Sequence, residues 1–152
     1  MNMKYTVFVI FFFLAVSFVH SQGNRLSTKS KKAAALYLEA DNYRVRGQYN
    51  QAISLLEAAV KKDKDFFEAY FRLAVILKAR GDVYNAEVYL KQVLELNTGN
   101  NAPTYFELGE LYLGEARYDE AITYINKFLA YKPKNTKRID EAHRILDNAE
   151  FA

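Results

Sequence analysis

The sequence predicts an all-α solenoid built from three helical hairpins and closed by one further helix. A recurring motif is the first observation. Gly47-Gln48-Tyr49-Asn50-Gln51-Ala52-Ile53, Gly81-Asp82-Val83-Tyr84-Asn85-Ala86 and Tyr118-Asp119-Glu120-Ala121-Ile122 set Ala52, Ala86 and Ala121 34 and then 35 residues apart. That interval is the length of one helix-turn-helix unit. The second observation is an apolar period of 3.6 residues from Ala33 onward, broken at regular places. With only two prolines and six glycines in 152 residues, the chain has few helix breakers, and one domain is the expectation.

Each element follows from that period. Leu36, Ala40 and Tyr43 share a face of a first helix running to about Arg46, where Gly47 allows a tight turn. Ala52, Ile53, Leu56, Ala59 and Val60 form the facing stripe of the second helix. The order returns as Tyr70, Leu73, Ala74 and Leu77, then Gly81, then Ala86, Leu90, Val93 and Leu94. It returns again as Tyr105, Leu108, Gly109 and Tyr112, followed by Ala121, Ile125, Phe128 and Leu129. These are hairpins at 33–66, 67–100 and 102–135. A last helix, 136–152, carries Ile139, Ala142, Ile145, Leu146 and Ala149 on one side and charges on the other, as expected of a cap over the third hairpin.

The residues ahead of the hairpins have another character. Lys4 followed by the uncharged, apolar run Thr6 to Val19, with Val19-His20-Ser21 before Gln22, reads as a secretory signal peptide over 1–21. As a helix that run would reach only ~21 Å, short of the roughly 30 Å hydrocarbon layer, which favours a cleaved leader over a retained anchor. No integral membrane span is then expected in the mature protein, whose location would be extracytoplasmic. Residues 22–32, with Arg25, Lys29, Lys31 and Lys32 and no acid, read as a basic, flexible lead-in.

Composition narrows the functional classes. Loss of Lys4 would take the net charge from +3 to +2, which offers no footprint for nucleic acid. Without cysteine there is no thiol site, disulfide scaffold or lipid thioether. His143 is the only histidine beyond the leader, and Asp63-Lys64-Asp65 lacks the glycine and terminal glutamate of a calcium loop. No phosphate-cradling loop occurs, and Glu107, Glu110 and Glu115 read as solvated helix face. Neither an enzyme nor a bound cofactor or metal is expected.

The three hairpins resemble tetratricopeptide repeats. The family's early bulky position is filled by Leu36, Tyr70 and Tyr105; its next large position by Glu39, Leu73 and Leu108; its small position by Ala40, Ala74 and Gly109; and its later aromatic position by Tyr43, Leu77 and Tyr112. In the second helices come Ala52, Ala86 and Ala121, then Leu56, Leu90 and Ile125, then Ala59, Val93 and Phe128, with Pro133 closing the third unit. The resemblance implies a right-handed superhelix with a concave groove lined by the first helices. Glu39 departs from the pattern as a capping end with no preceding unit would. Ala116 in place of the turn glycine, and the extra residue in Thr98-Gly99-Asn100-Asn101, are expected to shift local turns and curvature.

Tyr37, Phe71 and Phe106 each follow the early position by one residue, which turns them about 100° away from the hairpin's internal contact. The resemblance puts that side on the groove, together with Asp41 and Arg44, then Arg72, Val75 and Lys78, then Glu110 and Leu113. These residues are the candidate binding site for a protein or peptide; the alternative is that the three rings only pack between adjacent first helices. They do not match the lysines and asparagines with which related domains clamp a chaperone's terminal carboxylate. A looser similarity, carried by the leader and the closing Asn148-Ala149-Glu150-Phe151-Ala152, is to the N-terminal region of Gram-negative envelope proteins in which such repeats precede a β-propeller and an OmpA-like domain. It implies a periplasmic scaffold in an envelope or secretion complex. The other functional reading is a structural element that associates through its ends or outer faces, either on its own or as a separated N-terminal piece of such a protein. Mass spectrometry of the mature N-terminus checks the leader: Gln22 is the expected first residue, and an intact Met1 in membrane fractions contradicts cleavage.

Overall fold

The computed structural model describes residues 26–96 and 99–152. The segment expected to be a signal peptide, Arg25 and Thr98 of the inter-hairpin loop lie outside the described residues. Among the described residues seven helices follow in order: α1 Lys31–Val45, α2 Tyr49–Lys62, α3 Phe67–Ala79, α4 Val83–Glu95, α5 Ala102–Gly114, α6 Tyr118–Ala130 and α7 Thr136–Glu150. Among the described residues there is no strand. The helices pair as hairpins α1/α2, α3/α4 and α5/α6, and each hairpin stacks on the next through α2 on α3 and α4 on α5.

The core consists of the positions that the repeat pattern singles out. Ala40, Ala52, Ala74, Ala86 and Ala121 are fully buried, as are Leu56, Leu73, Leu90, Leu108 and Ile125. Small residues stand where the paired helices approach most closely. Gly109 shows how closely: a Cβ built on it would lie 2.4 Å from Ile125 Cδ1 and 2.5 Å from Ile125 Cγ1 of the facing α6. Glu39 is exposed, in keeping with an N-terminal face that no hairpin among the described residues covers.

Local signals set the helix ends. Ser30, Asp82 and Asn135 cap α1, α4 and α7 by accepting from the backbone N–H groups of Ala33, Asn85 and Arg138. Two of the hairpin turns use Gly47 and Gly81 at φ 73° and 80°; the third puts Ala116 at φ 56°. The expected shift of this turn does not occur. Ala116 N–H donates to Leu113 O and Arg117 N–H to Tyr112 O, just as Gly81 and Asp82 bond to Lys78 and Leu77. The hydrogen bonds that end α5 thus hold an alanine in the left-handed region, at a cost of about 1 kcal/mol.

From Leu26 on, the lead-in is folded rather than free. Leu26 packs on the core edge, the Ser27 N–H donates to Glu68 Oε1 at 2.9 Å, and the Thr28 hydroxyl donates to Asp63. The physical reason is that two carboxylates at the junction of the first two hairpins gain donors there. The Thr28 hydroxyl, helped by the Asp65 N–H, holds the Asp63 carboxyl below its usual range. Lys31 and Lys32 are the first residues of α1 and are exposed.

Helix α7 packs on both α6 and α5, burying Ala142, Ile145 and Ala149. It is the expected cap, and it touches α5 as a following first helix would. The close approach at Gly109 leads to a test. Gly109→Ala should lower stability by about 1 to 3 kcal/mol by overpacking, despite alanine's better helix propensity. Combined with Ile125→Ala it should cost clearly less than the sum of the single changes, measured by urea unfolding; additive costs would show that this approach does not limit the packing.

Candidate functional site

Three inner helices, α1, α3 and α5, carry the candidate groove residues, and α3 also touches α5 directly. The structure brings these residues into two groups. In the first, Asp41 accepts from Arg44 Nε at 2.7 Å, Arg72 Nε stands 3.6 Å from the same carboxylate oxygen, and Arg72 Nη2 donates to the Tyr37 hydroxyl at 3.3 Å. The Arg44 hydrogen bond lowers the Asp41 pKa against the opposing effect of burial, and the charge of Arg72 adds to it. In the second, Lys78 on α3 donates to Glu107 at 2.5 Å and to Glu110 at 2.8 Å on α5. Burial alone would lower the Lys78 pKa, but these two carboxylates raise it.

Glu107 is not the solvated acid that the sequence pattern predicts. It is buried at 6% exposure and lies between Lys78 and Arg138 of α7, the latter at 3.4 Å. A carboxylate can be buried there because cations from the inner helix α3 and from the capping helix α7 meet it. Successive inner helices are therefore linked by charge, α1 to α3 through Asp41–Arg72, α3 to α5 through Lys78–Glu107, and α5 to α7 through Glu107–Arg138.

The aromatic strip is shorter than expected. Phe106 does not line the groove; it is 2% exposed, packs edge-on against Phe128 at 5.1 Å, and has the Arg138 guanidinium over its ring at 4.8 Å. The capping helix closes over it. Tyr37 and Phe71 are half-buried, and Tyr37 stacks on Phe66 with ring centroids 5.2 Å apart. Val75 and Leu113 are likewise half-buried, Leu113 packing against the core.

Around Tyr37 and Phe71 lies a cleft of about 200 Å³, shared with Phe67, Arg72, Pro103 and Thr104. It draws on all three hairpins. An apolar cavity of ~150 Å³ can hold a benzene molecule, so this space takes one aromatic ring or branched aliphatic group. The sequence reading missed Phe67, Pro103 and Thr104, because they belong to helix starts rather than to the repeated groove positions. Arg72 Nε is buried without a hydrogen-bond partner, beside an Asp41 held more closely by Arg44. Among the described residues no cluster of His, Asp or Glu could hold a metal ion, and no helix is long and apolar enough to cross a membrane.

Comparison with known proteins agrees with this geometry. Tetratricopeptide repeat models match residues 37–101 and 77–143. Photosystem I assembly protein Ycf3 of Cyanophora paradoxa is 26% identical over 126 residues, covering 72% of this chain and 73% of that protein. DnaJ homolog subfamily C member 3 of Bos taurus is 30% identical over 105 residues, and the match spans only 21% of its length. Two solved structures share the fold at lower identity. The type III secretion chaperone SycD of Yersinia enterocolitica, in complex with a peptide of the translocator YopD, has a TM-score of 0.72 at 18% identity, over 81% of this chain and 95% of that one. The first repeat domain of Spaghetti (RPAP3), bound to the HSP90 peptide SRMEEVD, has a TM-score of 0.70 at 20% identity, over 78% and 95%. The two overlapping repeat matches run across all three stacked hairpins, and the chain belongs to the tetratricopeptide repeat family.

Proposed function

We propose that this protein is an interaction module that binds a segment of a partner protein along its inner helices, with one large apolar side chain of the partner in the Tyr37–Phe71 cleft. The cleft carries this reading, since it is concave, aromatic and shared by three hairpins. Arg72 beside it, with Asp41, Lys78 and Glu110 farther along, supplies mixed charge that would set the direction of the bound segment more than its strength. That SycD and Spaghetti are seen with bound peptides supports the use of this fold for such a task. The reading of residues 1–21 as a leader fits an extracytoplasmic setting, and with the looser similarity to envelope proteins it favours the periplasm, where the module would act as a scaffold in an envelope or secretion complex.

The burial of Phe106 separates binding from folding. Once a partner is captured from envelope extract and identified, Phe71→Ala should weaken its binding by about 2 kcal/mol or more, as expected of an aromatic anchor. Lys61→Ala, on an outer helix, should change binding by less than about 0.5 kcal/mol. Phe106→Ala should instead lower the melting temperature with affinity per folded molecule unchanged. If Phe71→Ala also lowers only the melting temperature, the ring is a packing element and the cleft is not the binding site.

A further inference from the structure

The outer helix of the middle hairpin exposes an apolar pair that its sister hairpins lack. Tyr84 and Val88 lie one turn apart on α4 and are 76% and 46% exposed. The equivalent positions, counted from the shared alanine, are Asn50 and Ser54 on α2 and Asp119 and Thr123 on α6. Outward positions on a surface helix gain nothing from packing, and the flanking hairpins keep them polar. Two apolar residues at adjoining outward positions of one hairpin form a ridge that water alone does not favour.

Beside the ridge is a depression of about 520 Å³, lined by Asp82, Tyr84, Glu87, Glu115 and Arg117. Glu87 is already met by two cations, Arg117 at 2.9 Å and Lys91 at 2.6 Å, and Arg117 also donates to Glu120, so the surplus rests on Asp82 and Glu115. Asp82 accepts only from the backbone and side-chain amide of Asn85, which are neutral donors, and Glu115 is exposed. The depression therefore keeps a surplus of negative charge next to an apolar ridge.

We propose that this outer face docks an amphipathic helix of a partner protein, which covers Tyr84 and Val88 with apolar side chains and places a lysine or arginine in the acidic depression. Residues four apart on such a helix match the one-turn spacing of Tyr84 and Val88. The ridge of Tyr84 and Val88 points away from the inner helices that carry Tyr37 and Phe71, and the residues lining the depression are not shared with the cleft, so both can be occupied at once. The protein would then join two partners rather than hold one.

The probe is a synthetic alanine-based helical peptide with leucines four residues apart and lysine one turn away, paired with a control in which glutamate replaces lysine. Titrated into the labelled protein, the lysine peptide should move backbone amide resonances of Gly81–Val88 and of Glu115–Arg117. The glutamate peptide should bind about tenfold more weakly at low salt. Tyr84→Ser with Val88→Ser should weaken the lysine peptide about tenfold without changing the melting temperature, and Phe71→Ala should leave its binding unchanged. The proposal is overturned if the peptide shows no saturable binding by about 1 mM, if it binds the serine variant equally well, or if its shifts map to the inner helices. It is also overturned if sedimentation shows self-association that the serine variant abolishes, since a second copy would then cover the face.

Discussion

Everything in this structure depends on how closely the two helices of each hairpin approach. Ala40, Ala74 and Gly109 on the inner helices, with Ala52, Ala86 and Ala121 on the outer ones, leave no side-chain bulk between the backbones. At Gly109 even a methyl group would overlap Ile125. The larger residues flanking these positions, Leu73 and Leu90 in the middle hairpin and Leu108 and Ile125 in the third, interlock around the contact and are fully buried. An isolated hairpin could not bury its outer faces, so stacking follows from the same constraint. Stacking in turn aligns the inner helices side by side, which is what creates a concave surface.

That surface is not uniform along its length. Toward the C-terminal end it is closed: α7 brings Arg138 over Phe106 and onto Glu107, converting a potential binding surface into core. Toward the N-terminal end no comparable helix of the described residues overlies it, and Tyr37, Phe71 and Arg72 help to line a cleft. The charge links between successive inner helices contribute to this division. Lys78 and Arg138 together neutralise Glu107, so its burial costs far less than that of an unpaired carboxylate. Asp41, by contrast, serves two arginines, holding Arg44 closely and Arg72 loosely, which leaves Arg72 with hydrogen-bonding capacity beside the cleft.

The repeat phase, the helix order and the buried alanines were legible in the sequence, because they arise from contacts repeated in each hairpin. Three features were not, and each depends on something that occurs once. Phe106 occupies the same repeat position as Phe71, but only the third hairpin has α7 lying over it. Glu107 looks like a surface acid until Lys78 and Arg138 arrive from helices 29 and 31 residues away along the chain. Ala116 keeps a turn that its residue type disfavours, since the hydrogen bonds ending α5 outweigh the local strain. Periodicity assigns a residue to a face of its helix; whether that face is later covered is decided by the ends of the stack.

The central claim is that the open half of the inner surface is where a partner sits. Photo-crosslinking in cells that make the protein tests this most directly, with a benzophenone amino acid placed at position 71 in one sample and at the exposed position 143 on the cap in another. The account predicts that position 71 gives a discrete covalent adduct with another protein and that position 143 does not. Adducts formed only from position 143, or only with a second copy of the chain, would show that the molecule works through its ends and that the cleft is a by-product of stacking.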